Sequence, residues 1–130
     1  MSNITVLADT DQFTMEHWHD DKILYITLRG THDAEVGKRY LKAYYGFMNS
    51  LPDGHMMRII GDATHLKGIT RDARKDYNEL AKHPNSGKTA FFGMNSFARA
   101  LISFIAFAGG KSHILKMCTN REEALEWVKA

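Results

Sequence analysis

The sequence predicts an α/β protein built on a mixed, mainly parallel sheet. Three observations point there: an early pair of β-branched and aromatic runs, short apolar runs that alternate with amphipathic helical patterns, and helix-capping signals between them. The expected order is β-β-α-β-α-β-α-β-α, with an antiparallel N-terminal hairpin and about four helices over the sheet. At 130 residues, with 44% apolar and 25% charged residues and no linker-like tract, residues 1–130 read as one domain. A chain of this size buries roughly two thirds of the surface its unfolded form exposes.

The elements follow in order. "FTMEHW" and "ILYITL", Phe13 to Trp18 and Ile23 to Leu28, flank a tight polar "HDDK" and predict the hairpin. Val36, Tyr40, Tyr44, Phe47 and Leu51 recur at helical steps, so Asp33 to Leu51 is expected to be an amphipathic helix stopped by Pro52, Asp53 and Gly54. "MMRIIGDA" is a short buried strand, followed by a loop from Gly61 to Thr70. Thr70 caps a second helix with Ile69, Ala73, Tyr77 and Leu80 on one side and Arg71, Lys75, Glu79 and Lys82 on the other. "KHPNSG" ends that helix, and "TAFFGM" is the next strand. Asn95 or Ser96 caps an apolar helix that Gly109 and Gly110 stop. "HILKMCT" is a further strand, and Thr119 with Glu122 has capping-box spacing for the last helix.

Composition excludes several functions. Lys plus Arg number 17 against 15 for Asp plus Glu, and the cations are scattered, so no nucleic-acid footprint is expected. Cys118 is the single cysteine and has no disulfide partner within the chain, and "MSNITVLADTDQ" shows no export signal, so a cytoplasmic setting is expected. "FARALISFIAFA" is interrupted by Arg99 and Ser103 and falls short of the ~20 residues a membrane span requires.

In open α/β sheets, functional groups gather beyond the carboxyl ends of strands, where helix N-termini present free amides. The loops expected there are Gly61 to Thr70, Gly93 to Ser96 and Cys118 to Asn120. Over almost its full length the chain resembles the SpoIIAA-like group, the STAS fold of anti-sigma-factor antagonists. The features that carry this are the hairpin, "MRIIGDAT" ending near Asp62, "ITRDAR" opening a helix, "TAFFGMN", and the closing "REEALEWV". The resemblance implies a non-catalytic bacterial regulatory module that binds a partner protein or, in related branches, a small apolar ligand. It implies that Asp62 matches the family's first Asp, Thr64 its early hydroxyl and Thr70 its second Asp. Arg71 then stands where the phosphate-accepting Ser would be. An arginine has no hydroxyl to phosphorylate, although its charge can hold an anion. Thr64 or Thr70 would take that role only if the register slips, and Thr70 is better read as a helix cap.

Other motifs carry less. "SGKT" at Ser86 to Thr89 and "GGKS" at Gly109 to Ser112 lack the P-loop's upstream glycine and are expected to be turns. His17 and His19, two apart beside Asp20 and Asp21, have the spacing of metal ligands, but surface hairpins collect such residues for turn formation and no metal is expected. Asp62, Thr64, His65 and Cys118 contain the residue types of a nucleophilic site, without a nucleophile elbow. The helix "NSFARALISFIAFAGG" places Arg99, Ser103 and Ala106 on one side, while Phe97, Leu101, Phe104, Ile105 and Phe107 cover much of the rest. That wide apolar arc predicts either neighbouring helices or a partner surface, with a homodimer favoured.

The leading expectation is therefore a protein-interaction module with no catalytic residue and no cofactor. The second is a carrier of a small apolar ligand or lipid, and the third a small hydrolase or transferase around His65.

Overall fold

The computed structural model describes residues 3–80, 82–93 and 114–130. Six strands form one sheet in sequence order: β1 (Ile4–Asp9), β2 (Phe13–Trp18), β3 (Ile23–His32), β4 (Met57–Ile69), β5 (Ser86–Phe92) and β6 (Leu115–Cys118). The first two pairings are antiparallel and the remaining three parallel. Helices α1 (Ala34–Asn49), α2 (Arg71–Leu80) and α3 (Arg121–Lys129) complete the described elements. The helix expected over Phe97 to Phe107, with the surface formed by Phe97, Leu101, Phe104, Ile105 and Phe107, lies outside the described residues, as does "GGKS".

The β2–β3 hairpin forms where expected, and Lys22 closes its turn in the left-handed region at φ 57°. Side chains alternate across each strand, so the sheet feeds two cores. Phe13, Met15, Leu24, Ile26, Met57 and Ile59 point to the face covered by α1, where Tyr40, Tyr44 and Met48 meet them. Ile23, Tyr25, Ile60, Ala90, Phe92 and Cys118 point to the other face, against Ala124 and Val128 of α3. α1 starts at an N-cap, Asp33, whose carboxylate accepts the amide of Val36 at 3.0 Å. It stops at Asn49, two residues short of the expected Leu51. α1 and α2 approach closely at Gly37, where a Cβ would stand 3.2 Å from the Ala73 backbone.

Several expectations are corrected. An additional strand, β1, precedes the hairpin and pairs with β2 around a bulge between Val6 and Ala8. The expected loop from Gly61 to Thr70 is instead strand as far as Ile69, because β3 itself continues to His32 and supplies a parallel partner. Ser86 to Thr89 is not a turn: it forms the first half of β5. The last helix is capped one residue later than the Thr119–Glu122 spacing implies. Asn120 accepts the Glu123 amide at 2.9 Å, and the Glu123 carboxylate reaches back to the Thr119 hydroxyl at 2.6 Å. Those bonds from Thr119 hold the Glu123 carboxyl below its usual range.

Away from the carboxyl ends of the strands, "KHPNS" is a buried polar joint. Tyr44 donates to the Ser86 hydroxyl at 2.5 Å, which donates in turn to the Leu80 carbonyl at 2.9 Å. Asn85 donates to the carbonyls of Pro52 and His55 at 3.0 and 2.7 Å. The group therefore ties α1, α2 and the start of β5 together, each buried polar atom meeting a partner.

Candidate functional site

β4 carries the residues that sequence reasoning singled out, and its bulges explain their geometry. Between the pairs Thr27↔Asp62 and Arg29↔His65, β4 advances three residues while β3 advances two. The extra residue leaves an amide without a ladder partner. Asp62 supplies one: its Oδ1 accepts the Thr64 amide at 3.0 Å and the Thr64 hydroxyl at 2.6 Å. Asp62 and Thr64 therefore form a local clasp over the bulge. Gly93, just beyond β5 at φ 81°, packs directly on Thr64, and a Cβ there would collide with the Thr64 hydroxyl and backbone.

His65 is exposed and, among the described residues, its side chain makes no hydrogen bond. Thr70 caps α2: its hydroxyl lies 3.4 Å from the Ala73 amide, and its own amide donates to the His32 carbonyl at 2.9 Å. Arg71 follows on the exposed side of α2, with Lys75 one turn further. Neither joins an ion pair among the described residues. The structure thus brings Asp62 and Thr64 into contact and places Thr70 and Arg71 at the far end of the same strand. Among the described residues, no hydrogen bond joins His65 or Cys118 to that pair. Cys118 is buried on the opposite side of the sheet from α1, where desolvation pushes its thiol pKa up and disfavours the thiolate.

His17 and His19 do meet, with ring centroids 4.0 Å apart, and His17 lies edge-on to Phe47 of α1 at 5.0 Å. His19 shares a 2.7 Å hydrogen bond with the Thr5 hydroxyl of β1. Burial, with His19 and His55 nearby, lowers the His17 pKa. Among the described residues, no three ligating side chains are placed to hold a metal ion.

Two groupings were not legible in the sequence. Trp18 stacks flat on Tyr25 at 4.3 Å, and Arg121 of α3 donates to the Tyr25 hydroxyl at 2.9 Å. Trp18 also lines a cavity of about 100 Å³ with Asn3, Ile4, Asp20 and Asp21, too small for a lipid chain. The second is His32, the only fully buried histidine among the described residues. Its ring sits among Phe13, Tyr40 and Tyr77 and bonds through both nitrogens, to the Tyr77 hydroxyl and, at 2.9 Å, to the Gln12 carbonyl. An isolated histidine before a helix cap carries no sequence signal for such a pocket.

This arrangement, a six-stranded mixed sheet with α1 and α2 on one face and α3 on the other, is the SpoIIAA-like fold. An uncharacterised protein of the DUF3478 family from Shewanella loihica PV-4, described as having that fold, superposes with a TM-score of 0.68 at 17% identity, over 98% of this chain and 95% of that one. The anti-sigma factor antagonist SpoIIAA in its unphosphorylated form superposes with a TM-score of 0.62 at 14% identity, over 98% of this chain and 99% of that one. Residues 17–130 match the family model described as a domain of unknown function, DUF7793, and the chain belongs to that family. No curated protein matches it in sequence.

Proposed function

We propose that this protein is a non-catalytic regulatory module of the STAS type that acts in the bacterial cytoplasm by binding another protein. The observation that carries the reading is the end-to-end superposition on an anti-sigma factor antagonist, at 98% coverage of this chain. The surface we assign to the partner runs from Thr64 and His65 on β4 to Arg71 and Lys75 on α2, all exposed. Regulation by phosphate transfer to this surface is not part of the proposal, since Arg71 offers no hydroxyl and the Thr64 hydroxyl is held by Asp62.

Arg71→Glu combined with Lys75→Glu reverses the charge of the exposed turn without touching the core. Wild-type protein used as bait in lysate of its own cells is expected to retain one protein at constant stoichiometry. The double variant, folded by circular dichroism, is expected to retain at least about tenfold less, the scale of one lost charged contact of about 1.4 kcal/mol. Equal recovery on both baits would reject this surface, and no stoichiometric protein on either would reject the reading.

The proposal includes a homodimer whose contact uses the apolar arc of Phe97, Leu101, Phe104, Ile105 and Phe107, on the strength of their sequence pattern. Phe104→Asp is expected to give a folded monomer by light scattering. A soluble variant that still runs as a dimer would place the contact elsewhere.

A further inference from the structure

α2 is attached to the sheet in an unusual way. It rests on α1 and, among the described residues, makes few contacts with the strands. Its only buried residues are Ala73 and Tyr77. Two of its ties converge on His32, the last residue of β3: the Thr70 amide donates to the His32 carbonyl, and the Tyr77 hydroxyl meets His32 Nδ1. A third, from Ser86 to the Leu80 carbonyl, holds the helix's other end. His32 also adjoins Asp33, the cap of α1.

The bonding pattern defines the imidazole's state. The Gln12 carbonyl can only accept, so Nε2 carries the proton, and Nδ1 is left to accept from Tyr77. The neutral ring is fully satisfied. A second proton on Nδ1 would break the bond that Tyr77 donates and oblige its hydroxyl to turn and accept instead, and would place a charge in a pocket walled by Phe13, Tyr40 and Tyr77.

We propose that His32 is a proton-sensitive latch that holds α2 to the sheet and releases it on protonation. The groups facing the ring come from every neighbouring element. From β3, the Arg29 carbonyl favours the charged form, as do the Gln12 carbonyl preceding β2 and the Asp33 carboxylate at the head of α1. Tyr40 of α1 and Tyr77 of α2 pack against the ring, with Asp76 beside Tyr77. Burial outweighs these and lowers the His32 pKa from its ordinary value of 6.5. The sign follows. Below that ordinary value the released form takes up a proton that the latched form refuses, so the latch is intact above it and weakens as pH falls. Because α2 carries Arg71 and Lys75, partner binding would weaken with it. That consequence rests on the proposed function, whereas the latch is measured without a partner.

The test is amide hydrogen exchange of the full chain, with protection factors for Ala73 to Leu80 compared with those of α1 and β3. From about pH 7.5 to about pH 5, protection of α2 is expected to fall by up to about tenfold per pH unit, the limit for one proton, before α1 and β3 respond. The His32 ring resonances should titrate in step. His32→Gln should remove the dependence. Should that variant not fold, Tyr77→Phe tests the same bond, and its α2 amides should already be weakly protected at neutral pH. Protection of α2 that stays constant until global unfolding, or wild-type protection in Tyr77→Phe, would overturn the latch.

Discussion

Phe13→Ala is expected to lower the unfolding free energy by about 3–5 kcal/mol, the range for truncating a fully buried aromatic. Phe13 is 1% exposed, packs edge-on to Tyr40 at 5.1 Å, and forms one wall of the His32 pocket. Its removal opens a cavity where β2 meets α1, and the rigid rings around it cannot collapse into the space. Chemical denaturation checks this through a lower midpoint at unchanged slope. A loss below about 1 kcal/mol would mean that the pocket relaxes, contrary to the packing described.

Gly93→Ala is expected to cost about 2–5 kcal/mol, from two sources acting together. At φ 81° an L-residue carries roughly 1–2 kcal/mol of backbone strain. The new methyl also meets Thr64, whose Cα and amide nitrogen would each lie 2.9 Å away, and overpacking of that kind costs about 1–3 kcal/mol. Thr64→Gly added to Gly93→Ala should recover only part of the loss, since it removes the hydroxyl contact and leaves the backbone contact and the strain. Complete recovery by thermal melting would show that strain at Gly93 contributes nothing. The same pair of variants reports on function, because the clasp between Asp62 and Thr64 shapes the exposed end of the proposed partner surface.

These two residues differ in how visible their roles are in the chain. Phe13 opens a run of alternating apolar residues and can be assigned to a core from its neighbours alone. Gly93 follows "TAFF" as an ordinary strand-ending glycine. Its necessity comes from Thr64, which reaches it only because β4 and β5 lie side by side. Asp62 and Thr64 were legible as a pair, since a strand ending in Asp-x-Thr resembles a known family. Their task as a bulge clasp was not, because the bulge depends on a mismatch in length between β3 and β4. His32 was silent for a related reason: its three partners, Gln12, Tyr77 and the ring of Tyr40, are scattered from one end of the first core to the other.

What the sequence determined by itself is the three described helices and the interior strands. A helix closes its hydrogen bonds within four residues and its caps within three, so the stripe of Val36, Tyr40 and Tyr44 and the caps at Asp33 and Thr70 are local facts. Buried strands announce themselves by their apolar runs, as "ILYITL" and "MRII" do. Tertiary structure decided where the sheet ends. β1 buries none of its residues, so nothing in "ITVLAD" marks it until β2 offers an edge. "THLKGI" reads as loop in isolation and becomes strand because β3 continues to His32 beside it. Strand hydrogen bonds join residues far apart in the chain, and only the assembled sheet can say which of them find a partner.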